Sequence, residues 1–202
     1  EGGAIICNSD DLAQKIYSYT DCGRKEGSYF YKHYSYGTNY RMTEYQAAVL
    51  LAQLKKFPTQ HELRNSNAKY LMKELNKIDG IKVMKPTPGT TELGWYIYPI
   101  IFEPKKFGGI TRSDFYKKLN RAGIPTDNCY PPLHGLDCFK DINLKKGIDY
   151  SKANWGGKKS EDTNFPVVSD IYSRSIEFPQ EILLSSKEKL NEIVNFIKSL
   201  KL

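Results

Sequence analysis

The chain has 202 residues, of which 40% are hydrophobic and 13% aromatic, enough for a packed core and too apolar for a disordered chain. Its net charge of +7 comes largely from lysine doublets scattered at 55–56, 105–106, 117–118, 145–146 and 158–159. Spread in this way they read as solvated faces and exclude a single nucleic-acid stripe.

No apolar run reaches the roughly 18 residues that a membrane-spanning helix needs, and no signal-peptide pattern is read, so neither a membrane nor a nucleic acid is expected as partner. The cysteines, Cys7, Cys22, Cys129 and Cys138, form no CxxC pair, and the histidines are scattered. No metal site is therefore expected, and free thiols in a reducing cytoplasm are.

In chain order, Ala4–Cys7 ("AIIC") reads as a short buried strand after Gly2 and Gly3. Asn8, Ser9 and Asp10 offer N-cap chemistry to a helix over "LAQKIYSY". Thr20–Tyr36 has no period but is rich in aromatic residues, which predicts a long ordered loop. Thr43 and Gln46 make a capping box for a helix whose residues Tyr45, Ala47, Ala48, Val49, Leu50, Leu51, Ala52 and Leu54 leave hardly any polar face. Such a helix is expected inside a core or against another subunit. Pro58 should end or kink it. A second amphipathic stripe, Leu63, Tyr70, Leu71, Leu75 and Ile78, stops at Asp79–Gly80.

Beyond Gly80 the texture changes to strands at "IKVM" and "GWYIYPIIF", with Trp95 packing the second. A helix capped by Thr111 and Asp114 then turns Phe115, Leu119 and Ala122 inward and stops at Gly123. A strand near "IPTDNCY", a lysine-rich irregular region to about 160 and a strand at "SIEF" follow. The last element is a helix capped by Ser185 and Glu188, with Leu190, Ile193, Val194 and Ile197 facing in. This order predicts an α+β module of about 120 residues with its boundary near Ile78–Ile81.

Three stretches resemble one family. "EGGAIICNSDDLAQKI" looks like the segment after the cofactor lysine in the DegT/DnrJ/EryC1/StrS aminotransferases, "GTNYRMTEYQAAVLLAQL" like their loop-into-helix signature, and "FPVVSDIYSRSIEFPQEILLSSKEKLNEIVNFIKSL" like their C-terminal strand and helix. The middle motif is closest to the 3-amino-5-hydroxybenzoate synthase and scyllo-inosose aminotransferase branches. The resemblance implies an α/β fold of the fold type I PLP-dependent class, with 1–79 as the end of the large domain and 80–202 as the small C-terminal α+β domain. It implies a homodimer using pyridoxal 5′-phosphate to move an amino group from an amino acid, such as glutamate or glutamine, to a keto-sugar (often nucleotide-linked) or a cyclitol ketone.

In that family the Schiff-base lysine lies shortly before the Glu-Gly-Gly stretch. The expectation is therefore that it lies upstream of Glu1, that no catalytic residue falls in this chain, and that the chain is inactive alone. The alternative readings are a relative that dehydrates keto-sugars, with histidine in place of that lysine, and a non-catalytic binding or dimerisation domain.

The residue matching the family's phosphate-binding asparagine is Asn39, which would reach the cofactor of the neighbouring subunit. Its carboxamide is a neutral N–H donor placed shortly before a helix N-cap, where the helix dipole favours anions. The plainer reading is that Asn39 shapes the turn after Gly37. Arg41 offers a guanidinium fork to a carboxylate or phosphate of the substrate, or a salt bridge tying the loop to a neighbouring helix. His33 and Tyr36 are candidates for sugar contacts, and the blander role for His33 is a partly buried, satisfied ring. Pro131–Pro132 stiffen a spur that presents Tyr130 and His134, either to substrate or as a surface turn. Gly2 and Gly3 are expected to allow close backbone approach.

Overall fold

The computed structural model describes residues 2–29, 31–133, 136 and 165–201. It comprises two compact units, Glu1–Pro58 and Thr59–Leu202. The division falls within a long helix, α2 (Glu44–Leu75), whereas the sequence texture places a boundary near 79/80. Among the described residues no helix is long and apolar enough to cross a membrane.

In the first unit, α1 (Asp10–Thr20) starts as its sequence predicts: Ser9 is the N-cap, its hydroxyl accepting from the Leu12 N–H at 3.3 Å. Asp10 and Asp11 occupy the first turn, where the helix dipole favours negative charge. The capping box of α2 also forms, with Gln46 N–H donating to Thr43 Oγ1 at 3.3 Å and Thr43 N–H to Gln46 Oε1 at 3.0 Å.

One expectation for this unit is corrected and two are narrowed. Residues 4–7 are not a strand; Ile6 is 93% exposed, and no described strand offers the ladder that extended backbone needs. Of the two settings expected for the apolar start of α2, a core is not found among the described residues, since Tyr45 is 88% exposed and Val49, Leu51 and Leu54 are all exposed. Pro58 does not end the helix. One lost N–H bond is tolerable when the following turns, through Ala68, Leu71 and Leu75, are anchored in a hydrophobic core. The exposed stretch and the buried stretch are thus parts of one 32-residue element.

The second unit is built on an antiparallel sheet of order β1-β2-β4-β3, with β1 at Ile81–Val83, β2 at Ile97–Phe102, β3 at Asp127–Asn128 and β4 at Ser175–Pro179. Period-two alternation sorts its faces. Tyr98, Ile100 and Phe102 of β2 pair with Phe178, Ile176 and Ile81 and are buried. They share a core with Leu71 and Leu75 of α2, Phe115 and Leu119 of α3 (Arg112–Arg121), and Leu190, Ile193 and Ile197 of α5 (Lys187–Ser199). Phe102 stacks on Phe115 with ring centroids 4.5 Å apart.

Buried asparagines of α2 tie the loops to this core. Asn67 donates to the carbonyls of Leu183 and Ser185 at 2.9 Å each, and Asn65 accepts from the Trp95 indole at 3.0 Å. Trp95 is therefore buried as predicted, packed on Tyr98 just ahead of the strand.

Smaller differences remain in this unit. Ala122 is exposed, and the N-cap of α5 is Ser186 rather than Ser185. A helix over Pro166–Arg174, here α4, was not expected; Pro166 at its first turn is the signal that announces it. Removing the stacked ring tests the core directly: Phe115→Ala should cost about 3–5 kcal/mol in equilibrium denaturation, whereas Ala122→Ser should change little.

Candidate functional site

Most of the candidate residues lie on the segment between α1 and α2. This segment is no open loop. It doubles back on the end of α1 and is bonded along its length: Thr38 N–H to Tyr19 O at 2.7 Å, Cys22 N–H to Thr38 O at 3.1 Å and Tyr40 N–H to Thr20 O at 2.9 Å. Asp21 and Asn39 face each other as an isolated antiparallel bridge.

Two glycines permit this. A Cβ on Gly37 would lie 2.4 Å from the Gly23 nitrogen and 2.8 Å from the carbonyl oxygens of Ser18 and Tyr19. Gly23 has φ +80°, and a Cβ there would lie 1.8 Å from the Ser35 carbonyl oxygen. His33 closes the inner turn, its Nδ1 2.6 Å from the Cys22 carbonyl oxygen. A carbonyl only accepts, so Nδ1 carries the proton, and in the neutral ring Nε2 is left as an acceptor.

Asn39 is exposed at the end of this platform. Its Oδ1 accepts from Arg41 Nε–H at 3.0 Å and from Arg41 N–H at 3.4 Å. Its Nδ2 makes no hydrogen bond among the described residues, so both amide protons are available. Arg41 in turn lies 3.4 Å from Asp21 Oδ1, a buried oxygen that makes no hydrogen bond of its own among the described residues. The oxygen of Asn39 is thus engaged within the turn, while its nitrogen is left unbonded among the described residues. Tyr36 is fully exposed on the same segment. Asp21 escaped the sequence reading because nothing in its spacing from Arg41 marks a pair twenty residues apart in the chain.

Tyr130 belongs to the second unit, where it lines a groove of about 450 Å³ with Ile101, Cys129, Ile171, Tyr172 and Ser175. It is largely exposed, and a hydrogen bond with Tyr96 raises its hydroxyl pKa. His134 and Cys138 lie outside the described residues. Burial pushes the Cys129 thiol up. Cys7, Cys22 and Cys129 are free, and no group of acidic, cysteine or histidine residues that could hold a metal occurs among the described residues. Of the glycines near the start, Gly2 passes close to Leu50 and Met42, with a Cβ reaching 3.1 and 3.2 Å from them, while Gly3 approaches nothing.

Comparison with known proteins places this architecture. The chain is similar in fold to a solved structure of 3-amino-5-hydroxybenzoic acid synthase, with TM-score 0.75 at 20% identity, covering 96% of this chain and 47% of that one. The model of the DegT/DnrJ/EryC1/StrS aminotransferase family matches residues 1–198, and the chain belongs to that family. It is 27% identical over 205 residues to an L-glutamine:2-deoxy-scyllo-inosose aminotransferase of Streptoalloteichus tenebrarius, covering 96% of this chain and 47% of that protein. It is 23% identical over 197 residues to a UDP-4-amino-4,6-dideoxy-N-acetyl-beta-L-altrosamine transaminase of Campylobacter jejuni, covering 95% and 50%. The chain thus spans about half the length of these curated relatives.

Two measurements probe this geometry. Gly37→Ala should unlock the bonded segment and speed amide exchange at Thr38 and Tyr40, whereas Gly3→Ala should leave exchange unchanged. On the sheet, burial and then the Asp127 carboxylate paired opposite on β3 raise the Glu177 pKa. A carboxyl raised by folding stabilises the fold at acid pH and loses that contribution as pH rises through the folded value. Glu177→Gln should therefore melt higher than the parent at neutral pH, with the difference closing below the ordinary carboxylate range.

Proposed function

We propose that the whole protein carrying this chain is a PLP-dependent aminotransferase that moves an amino group from an amino-acid donor, glutamine or glutamate, to a keto-sugar or cyclitol ketone. The single observation that carries this reading is the Asn39 carboxamide, held on a locked segment with its oxygen engaged and its N–H₂ free. That arrangement fits a phosphate. The free group is a neutral donor, a guanidinium stands beside it, and the N-terminus of α2 follows a few residues on.

PLP, when bound, supplies an electron sink for negative charge that develops on the substrate carbon. The task of this chain is to hold and orient. Asn39 donates to the phosphate of the cofactor in a partner copy. The exposed apolar start of α2, from Tyr45 to Leu54, supplies the subunit contact that brings it there. His33 offers its Nε2 and Tyr36 its hydroxyl to substrate hydroxyl groups.

The test uses the whole protein with PLP. Bound cofactor should give a visible absorbance band that glutamine or glutamate changes. Asn39→Ala should weaken PLP binding by about tenfold, the scale of one hydrogen bond to a charged group. A parent protein that takes up no PLP would end this reading.

A further inference from the structure

A carboxamide can present its oxygen or its nitrogen to a ligand, and a half-turn about Cβ–Cγ exchanges the two. Only one orientation offers N–H to an anion. On this segment the orientation is decided by convergent donors. The Arg41 backbone N–H and its Nε–H both point at one atom of the Asn39 side chain, at 3.4 and 3.0 Å. Two N–H donors can share an oxygen but cannot face an NH₂ group, so the oxygen is held inward and the nitrogen is turned out.

Arg41 would not hold this pose unaided, because its side chain is 55% exposed and has many rotamers. Asp21 restrains it. The carboxylate is only 14% exposed, lies 3.4 Å from Arg41 Nε, and sits opposite Asn39 in the backbone bridge. The bridge sets the acidic residue opposite the amide residue, and Arg41 Nε lies 3.0 Å from the amide oxygen and 3.4 Å from the carboxylate.

We propose that Asp21 and Arg41 are positioning residues that act through Asn39: Asp21 holds the Arg41 guanidinium, and Arg41 fixes the Asn39 carboxamide with its N–H₂ facing an anionic ligand. This rests on the reading that Asn39 contacts the cofactor phosphate.

The experiment measures, in the whole protein, PLP affinity by titration and the ³¹P resonance of the bound phosphate. The variants are Asn39→Ala, Arg41→Met, Asp21→Asn and the Asn39→Ala/Arg41→Met double. Arg41→Met should weaken PLP binding by about tenfold, the scale seen for partners standing behind a ligating group, and should move the phosphate resonance. Asp21→Asn should move both in the same direction by less. The double variant should bind PLP no more weakly than Asn39→Ala alone, since Arg41 has no effect without the amide it orients.

Additive losses in the double variant would overturn the proposal, because Arg41 would then touch the ligand itself. So would an Arg41→Met protein with parental affinity and resonance when Asn39→Ala alters both. If Asn39→Ala itself alters neither, the phosphate reading fails and this inference falls with it.

Discussion

The near-contact of two glycines, Gly23 and Gly37, underlies the arrangement of the first unit. Neither position accepts a side chain, because each Cβ would fall inside the van der Waals radius of backbone atoms. With both present, the chain from Ser18 to Tyr40 folds on itself closely enough for the backbone to satisfy its own donors and acceptors. A segment of this length would otherwise be free to sample many conformations, at a conformational cost on ordering of about 1–2 kcal/mol per residue. The hydrogen bonds and the short reach between glycines remove that freedom before any ligand arrives. Asn39, Arg41 and His33 inherit their positions from it.

Helix α2 carries a second constraint. Its C-terminal half is bound on one side by Leu71 and Leu75 in the core and clamped by Asn65 and Asn67 to the loops around the sheet. Its N-terminal half has apolar side chains nearly all the way round and no cover among the described residues. A helix propagates easily once nucleated, so the anchored half sustains the exposed half across Pro58. Exposed contiguous apolar area of this kind marks an interaction surface, which is why the proposed subunit contact is placed there. The second unit shows the opposite economy of surface. One sheet face is sealed by Phe102, Phe115 and Phe178, while the other keeps Ser175, Glu177 and Cys129 beside a groove.

How much was legible in the sequence follows from the range of the forces involved. Caps are local, and so Ser9, Thr43 with Gln46, and Thr111 were all read correctly from neighbours three residues away. The stripes of α3 and α5 were legible in the same way, because a helix face repeats within a few residues. Ala4–Cys7 was misread since an apolar run specifies burial without naming what does the burying. The helix at Pro166–Arg174 was missed because its short apolar set resembles a strand when no partner is known.

The sequence by itself determined the starts of α1, α2 and α3, most of the buried stripes, the α+β order of the second unit and the motif in which Asn39 stands, because these depend on residues close in the chain. Only the tertiary structure decided the rest: that Gly23 meets Gly37, that Asp21 reaches Arg41, that the Asn39 amide turns its nitrogen outward, and that no described residue covers the apolar start of α2. Those outcomes depend on atoms brought within a few ångströms by folding. No local pattern of side chains encodes such distances.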